Sequence, residues 1–290
     1  MIDFTWTAEP FRQELLAHCY RMLGSRHDAE DLVQETYLRA WRSFDRFEGR
    51  SSVRVWLYRI ATNACLNALE GRRRRALPST PLDPELPGEA WLEPMPDALV
   101  TAESADPASV VASRHDLRLA LIAGLQHLPP RQRAVLILRE VLDIPAAEVA
   151  HMLDTTVASV KSALQRARAR LAEVAPTADD VVEPTSPQAR ALLSEYIAGF
   201  ENSDLAALER ALRADAALEV AGSPTWFDGR ETCLAFLATV IGSPGDWRMT
   251  PIVANNQPAV LAHHYGAPFG VAVLTATTTG VSRLTVFPEP

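Results

Sequence analysis

The 290-residue sequence has three cysteines, Cys19, Cys65 and Cys233, and they lie far apart with no C-x-x-C pair among them. Such spacing argues against a disulfide framework or a zinc knuckle and fits a reducing compartment, where lone thiols are small buried apolar groups. Long apolar runs are also lacking. None approaches the ~20 residues of a membrane span, and no basic-then-apolar leader opens the chain. A cytoplasmic protein with no membrane partner is expected. One further absence is local: residues 76–113 contain no Lys or Arg but seven acidic groups.

Basic residues are a minority overall, 28 against 36 acidic ones, for a formal net charge of -8. Taken alone, that opposes binding to a polyanion. The charge is laid out in blocks, however. Residues 1–75 are net +3 and residues 114–173 net +3, while 76–113 and 174–290 are each net -7. Hydrophobic content of 48% with 22% charged residues is that of ordinary globular material, and the length predicts two or three compact units.

Two basic blocks read as helices. In "HDAEDLVQETYLRAWRSF", Ala29, Leu32, Val33, Thr36, Tyr37, Ala40, Trp41 and Phe44 recur at helical spacing and predict a buried stripe. Asp31, Gln34, Glu35, Leu38 and Arg42 fall on the other side. After the polar turn "DRFEGRSS" comes "VRVWLYRIATNACLNALEGRRRR", with Trp56, Leu57, Ile60, Ala61, Ala64 and Ala68 expected inward and Tyr58, Thr62, Asn63 and Asn67 outward. The segment from Leu117 to Glu173 reads as four helices, broken by Pro129–Pro130 and Pro145. Its last two, "AAEVAHML" and "VASVKSALQRARARL" around "DTT", have helix-turn-helix proportions. Val160, Leu164, Ala167 and Leu171 make the inner stripe of the final helix, and its outer face is short, polar and basic.

Between the blocks lies a Pro- and acid-rich stretch that reads as a tether, although Trp91, Leu92 and Met95 are odd there and predict that part of it docks. A second linker covers 175–187. From Gln188 a helix through Leu212 and short runs such as "AALEVA", "AVLAHHY", "GVAVLTATTT" and "SRLTVF" predict a small α+β domain.

"DAEDLVQETYLRAW", "WLYRIATNACLNALEGRRRR" and "LPPRQRAVLILREVLDIPAAEVAHMLDTTVASVKSALQRARARL" resemble, in order and spacing, regions 2 and 4 of extracytoplasmic-function sigma factors of the sigma-70 family. "FDGR" and "GDWRMTPIVANNQPAV" resemble a SnoaL-like domain of the NTF2 and ketosteroid-isomerase fold. The resemblance implies a multi-domain chain: an all-α region 2 over 1–75, an acidic linker over 76–112, an all-α region 4 helix-turn-helix over 113–174, a linker over 175–187, and a cone-shaped α+β domain over 188–290. It implies a promoter-specificity subunit of RNA polymerase, regulated in cis by the last domain.

The site residues follow from the same resemblance. Asp31, Gln34, Glu35, Leu38 and Arg42 would bind core polymerase at the β′ coiled coil, with the β flap as a further contact. Phe47, Arg50, Arg54, Tyr58, Asn63 and Asn67 would take the −10 element, a flipped base being held by stacking and charge. Arg72, Arg73, Arg74 and Arg75 would touch phosphates. Ser162, Gln165 and Arg166 would face base edges of the −35 element, with Ser159 on the same DNA-binding face, while Lys161, Arg168, Arg131 and Arg133 hold its backbone. Ala163 stands where many relatives have Arg in a "VKSR" run, so a relative's −35 sequence is not carried over.

In the C-terminal domain, Tyr196, Trp226, Phe227, Trp247, His263 and His264 are candidates for the lining of an apolar pocket for a small ligand. No recognisable acid–base pair accompanies them; no catalytic residue, cofactor or metal is expected. "NNQPA" replaces the expected "NGQPA", and Asn256 can supply the positive φ that glycine would. Two other readings remain open: a one-component DNA-binding regulator that senses a ligand, and a SnoaL-type isomerase or cyclase with a vestigial sigma part.

Overall fold

The computed structural model describes residues 8–49, 51–75, 92–100, 117–174, 181–223 and 226–289. The chain forms two compact units. One takes the residues up to Gly88 together with Leu99–Ala175, and the other takes Glu89–Ala98 together with Pro176–Pro290.

Among the described residues the first unit is helical, without strands. A short 3-10 turn leads into α1 (Arg12–Leu23), followed by α2 (Arg26–Ser43) and α3 (Val53–Arg75). Every residue of α1 from Leu15 to Leu23 is buried. From Leu15 on, no exposed position interrupts the helix, so the buried-and-exposed alternation seen along α2 is missing there. Gly24 ends it at φ 74, its N–H donating to the Tyr20 carbonyl (2.8 Å), a left-handed cap that glycine adopts without strain. The Ser25 hydroxyl then accepts from the Asp28 N–H (3.2 Å) and starts α2, whose buried positions Ala29, Val33, Thr36 and Ala40 keep helical spacing.

After the linker come α4 (Leu119–Gln126), α5 (Pro130–Leu136), α6 (Ala146–Met152) and α7 (Val157–Val174), the four helices expected. Prolines sit where they cost no hydrogen bond: Pro130 in the first turn of α5 and Pro145 just before α6. Asp154 turns the chain with φ 48, and the Thr156 hydroxyl accepts from the Ser159 N–H (3.1 Å) to start α7. Val160 and Ala167 are buried beneath α7, with Leu164 and Leu171 half-buried. Among the described residues no helix is long and apolar enough to cross a membrane.

The second unit is α+β, as expected. Its helices are α8 (Pro187–Glu201), α9 (Leu205–Ala211) and α10 (Arg230–Val240). The single helix read from Gln188 to Leu212 is in fact two: Ser203 takes φ 53, and the Asp204 carboxylate accepts from the Ala206 and Ala207 N–H groups to begin α9. Strands β1 (Leu212–Val220), β2 (Trp226–Asp228), β3 (Trp247–Ala254), β4 (Gln257–His264), β5 (Ala267–Thr277) and β6 (Gly280–Pro288) form one sheet in the order β2-β1-β6-β5-β4-β3. Strands β3 to β6 are an antiparallel meander, and β1 closes against β6 in parallel.

The β3–β4 turn is Asn255–Asn256 with φ of 55° and 52°, so both asparagines take the left-handed conformation of a tight hairpin turn. The linker docks on this turn. Met95 N–H donates to the Asn255 side-chain oxygen and Asn255 N–H returns a bond to the Met95 carbonyl, both 2.9 Å. Pro96 bridges Ala254, and the Asp97 carboxylate accepts from the Asn256 N–H (2.9 Å). Leu92 and Met95 are buried here; Trp91, also expected to dock, lies outside the described residues.

Candidate functional site

On α2 the exposed face carries Asp31, Gln34, Leu38 and Arg42, with Glu35 half-exposed and paired to Arg39 (2.7 Å) one turn on. Leu38 is 55% exposed and Trp41 65%. Trp41 was expected in the buried stripe; it stands outside, one turn from Leu38, because the stripe closes on Ala40. Two large apolar side chains thus stand exposed beside Asp31, Gln34 and Arg42.

The residues expected at the −10 element divide. Tyr58 is corrected, being turned inward, whereas Arg54 keeps a side chain 40% exposed but commits its guanidinium to Glu14. The Tyr58 hydroxyl donates to Glu14 (3.0 Å), Arg54 forks onto both Glu14 oxygens (Nε at 3.2 and 2.9 Å), and its guanidinium lies 5.1 Å over the Tyr58 ring. Tyr58 is fully buried, and burial raises its phenol far above the ordinary range. Phe47 is half-buried, 4.9 Å from the Trp56 ring and stacked on Phe44, so it props the turn. Asn67 is exposed. Arg72 pairs with Asp28; Arg50 lies outside the described residues, as do the side chains of Arg73, Arg74 and Arg75.

Sequence reasoning missed a depression of about 290 Å³ lined by Arg39, Ser43, Trp56, Arg59, Ile60 and Asn63. Two cations, one indole and an amide around one hollow have the chemistry to hold an unstacked base. Trp56 and Ile60, expected inward, are only half-buried and belong to this hollow. The spacing of Trp56, Arg59, Ile60 and Asn63 places them on one face of α3, a pattern visible in sequence once the stripe is centred on Leu57 and Ala61.

On α7, Ser159, Lys161, Ser162, Gln165, Arg166 and Arg168 are all exposed, as is Arg131 at the start of α5. Arg168 is held by Glu140 at 2.6 Å. Arg133 is corrected: it is 4% exposed and spends its guanidinium on the carbonyls of Met22, Gln126 (2.9 Å) and Leu128 (3.2 Å). Burial pulls its pKa down to about 10, which still leaves it charged at neutral pH. It is a cap on the ends of α1 and α4, not a phosphate contact.

Arg133 is one of several ties between the α1–α3 bundle and the α4–α7 bundle. Gln126 donates to the Arg21 carbonyl (3.4 Å), Asn63 reaches the Met152 carbonyl (3.5 Å), and Arg59 lies 3.7 Å from Asp154. The hollow on α3 and the helix-turn-helix turn thus face each other.

In the second unit a cavity of about 460 Å³ lies between α8, α10 and the sheet. Tyr196 and Trp247 line it, as expected, and so does His264. Trp226, Phe227 and His263 do not, and are corrected. Side chains alternate along a strand, so on β4 Ala262 and His264 face the cavity and His263 the other side. Trp226 is exposed on edge strand β2 beneath the Arg283 guanidinium (4.8 Å), and Phe227 stacks on Phe236 (4.4 Å). No Asp, Glu, Lys or Arg is among the lining residues, and no group of three metal-ligating side chains occurs among the described residues.

Residues 8–75 match the Sigma-70 region 2 family and residues 118–171 the Sigma-70 region 4 family. The chain is 47% identical to the ECF RNA polymerase sigma factor SigG of Mycobacterium tuberculosis, over 98% of its own length and 81% of the relative's. It is 28% identical to the probable ECF RNA polymerase sigma factor SigI of the same organism, over 100% of this chain and 93% of that one. The crystal structure of the M. tuberculosis extracytoplasmic-function sigma factor SigJ shares the fold, with a TM-score of 0.67 at 22% identity over 97% of this chain and 95% of that one.

Proposed function

We propose, from the premise that the chain belongs to the extracytoplasmic-function RNA polymerase sigma factors, that it is a promoter reader restrained by its own C-terminal unit. As a sigma factor it partners RNA polymerase and recognises promoter DNA. The finer assignments are our reading. The Asp31–Gln34–Glu35–Leu38–Trp41–Arg42 face of α2 docks on the β′ coiled coil, and the β flap receives the α4–α7 bundle. The hollow around Trp56 and Asn63 accepts an unstacked −10 base. Ser162, Gln165 and Arg166 read −35 base edges, with Arg131, Lys161 and Arg168 on phosphates. The chain works in the cytoplasm beside the polymerase and catalyses no reaction of its own.

The observation that carries the regulatory reading is the clasp of Met95, Pro96 and Asp97 on the Asn255–Asn256 turn. The clasped segment belongs to the only covalent link between region 2 and region 4. Anchoring it shortens the free tether, and a shorter tether raises the effective concentration at which the two regions meet. Their mutual contacts through Arg133, Asn63 and Arg59 then hold the −10 hollow against the helix-turn-helix turn. Binding to polymerase and promoter requires these contacts to part, so the clasp lowers basal activity. A bound ligand releases it only by favouring the unclasped state.

The test is transcription from a cognate promoter with core polymerase, comparing the full chain with Asp97→Ala/Asn255→Ala. Higher output from the double variant is expected; unchanged output rejects the restraint.

A further inference from the structure

Cys233 stands apart in the second unit, its thiol donating to the Ala216 carbonyl (3.4 Å). Cys19 and Cys65, distant in sequence, are brought together in the first unit. Helices α1 and α3 meet through a ladder of side chains. On one rung Tyr58 donates to Glu14 (3.0 Å), and one turn further His18 Nε2 lies 2.9 Å from the Thr62 hydroxyl. Cys19 directly follows His18 and Cys65 lies one turn beyond Thr62, so the next meeting of the two helices falls on the thiols. The Cys65 thiol is hydrogen-bonded to Cys19, and both residues are 0% exposed. That bond and burial push the Cys65 thiol well above its ordinary pKa, while the charges of Arg133 and Arg72 act the other way. A buried thiol with a packing role alone needs no partner thiol.

The pair lies where the α1–α3 bundle touches the α4–α7 bundle. Arg133 of α5 donates to the carbonyl of Met22, one turn beyond Cys19, and its charge reaches Cys65. While that contact holds, both thiols are neutral and shut away from solvent, and such thiols are inert. Withdrawing α5 takes Arg133 from the end of α1 and admits water. Arg72, on α3 itself, stays behind to favour the Cys65 thiolate. With a second thiol at hydrogen-bond distance, oxidation stops at a disulfide, because the neighbour traps the first oxidised sulfur.

We propose that Cys19 and Cys65 form a dithiol that hydrogen peroxide converts to a disulfide when the two bundles part. The Cys65 thiolate attacks a peroxide oxygen: an S–O bond forms, the O–O bond breaks, and the departing hydroxide takes up a proton as water. Cys19 then attacks the sulfenic sulfur; the S–S bond forms, the S–O bond breaks, and the oxygen leaves as water with the Cys19 proton. Two thiols are thereby oxidised by two electrons in all, and one peroxide is reduced to two waters. The disulfide staples α1 to α3 when the α4–α7 bundle no longer supports them, and small thiols reverse it. Its timing rests on the parting of the bundles proposed above; the pairing of the thiols does not.

The test exposes the full chain, reduced and then freed of reductant, to hydrogen peroxide, with alkylation and mass spectrometry over time. The expected product has lost two hydrogens, yields a peptide pair joined through Cys19 and Cys65, keeps Cys233 unmodified, and reverts with dithiothreitol. Cys65→Ser should give no cross-link. Arg133→Ala should speed the reaction at least about tenfold, because opening then gives up fewer hydrogen bonds to a charged group. If Arg133→Ala does not fold, Gln126→Ala takes its place, removing a partner of Arg133 and the bond to the Arg21 carbonyl (3.4 Å). Thiols left reduced in the loosened variant, a cross-link to Cys233, sulfinate in place of the disulfide, or equal rates in the two chains would overturn the proposal. Transcription with reductant present is blind to the dithiol, so failure of the restraint and failure of the dithiol are told apart.

Discussion

His18 sits inside the α1–α3 bundle with its Nε2 2.9 Å from the Thr62 hydroxyl and its ring edge-on to Tyr58 at 5.1 Å. Burial, aided by the nearby Arg21 charge, lowers its pKa to about 3 from an ordinary 6.5. Between those values the unfolded chain takes up a proton that the folded chain refuses. Stability from this group is therefore full above about pH 6.5 and is lost as pH falls toward 3, at up to about 1.4 kcal/mol per pH unit. Urea midpoints measured across that range should fall with pH, and His18→Gln, which keeps a partner for Thr62, should make the fall shallower by about one proton. Equal slopes would contradict the assignment. Single residues were also where sequence reading failed most. An arginine or tyrosine beside a DNA-binding helix looks the same in sequence whether it faces solvent or, like Arg133 and Tyr58, is consumed by carbonyls or a carboxylate inside.

Elements were more legible. The α2 and α7 stripes, the four helices after the linker and the α+β character of the C-terminal part follow from periodicity, because each buries one face and exposes the other. What lacked that contrast was lost: α1 is buried without a break from Leu15 to Leu23, and the β2–α10 stretch is too short and mixed to announce itself. Trp41 was misplaced because a helical stripe is wide and its edge cannot be located to one residue. That error has a functional side, since Trp41 and Leu38 together give the α2 face its apolar centre. Replacing both by alanine should weaken binding to core polymerase by about thirtyfold, or about 2 kcal/mol, with little change in melting temperature because both are exposed. Fluorescence anisotropy of the labelled chain against core polymerase measures the first and calorimetry the second. Undiminished affinity would remove α2 from the interface.

At the scale of the molecule, the alternation of charge visible in sequence has a structural counterpart. The two net +3 blocks form one helical unit, while part of the acidic linker leaves them to join the acidic C-terminal unit. Trp91, Leu92 and Met95 hinted that the linker docks; the site of docking was out of reach, because the bonds at Asn255 and Asn256 are made largely by backbone groups that every sequence possesses. The central claim is that the C-terminal unit restrains a promoter reader otherwise complete in the first unit. It is tested most directly by transcription with core polymerase from a cognate promoter, comparing the full chain with a chain ending at Thr177. We expect promoter-dependent transcript from both and a higher yield from the truncated chain, with the −10 and −35 elements required in each case. Equal yields, or transcript from neither, would contradict the account.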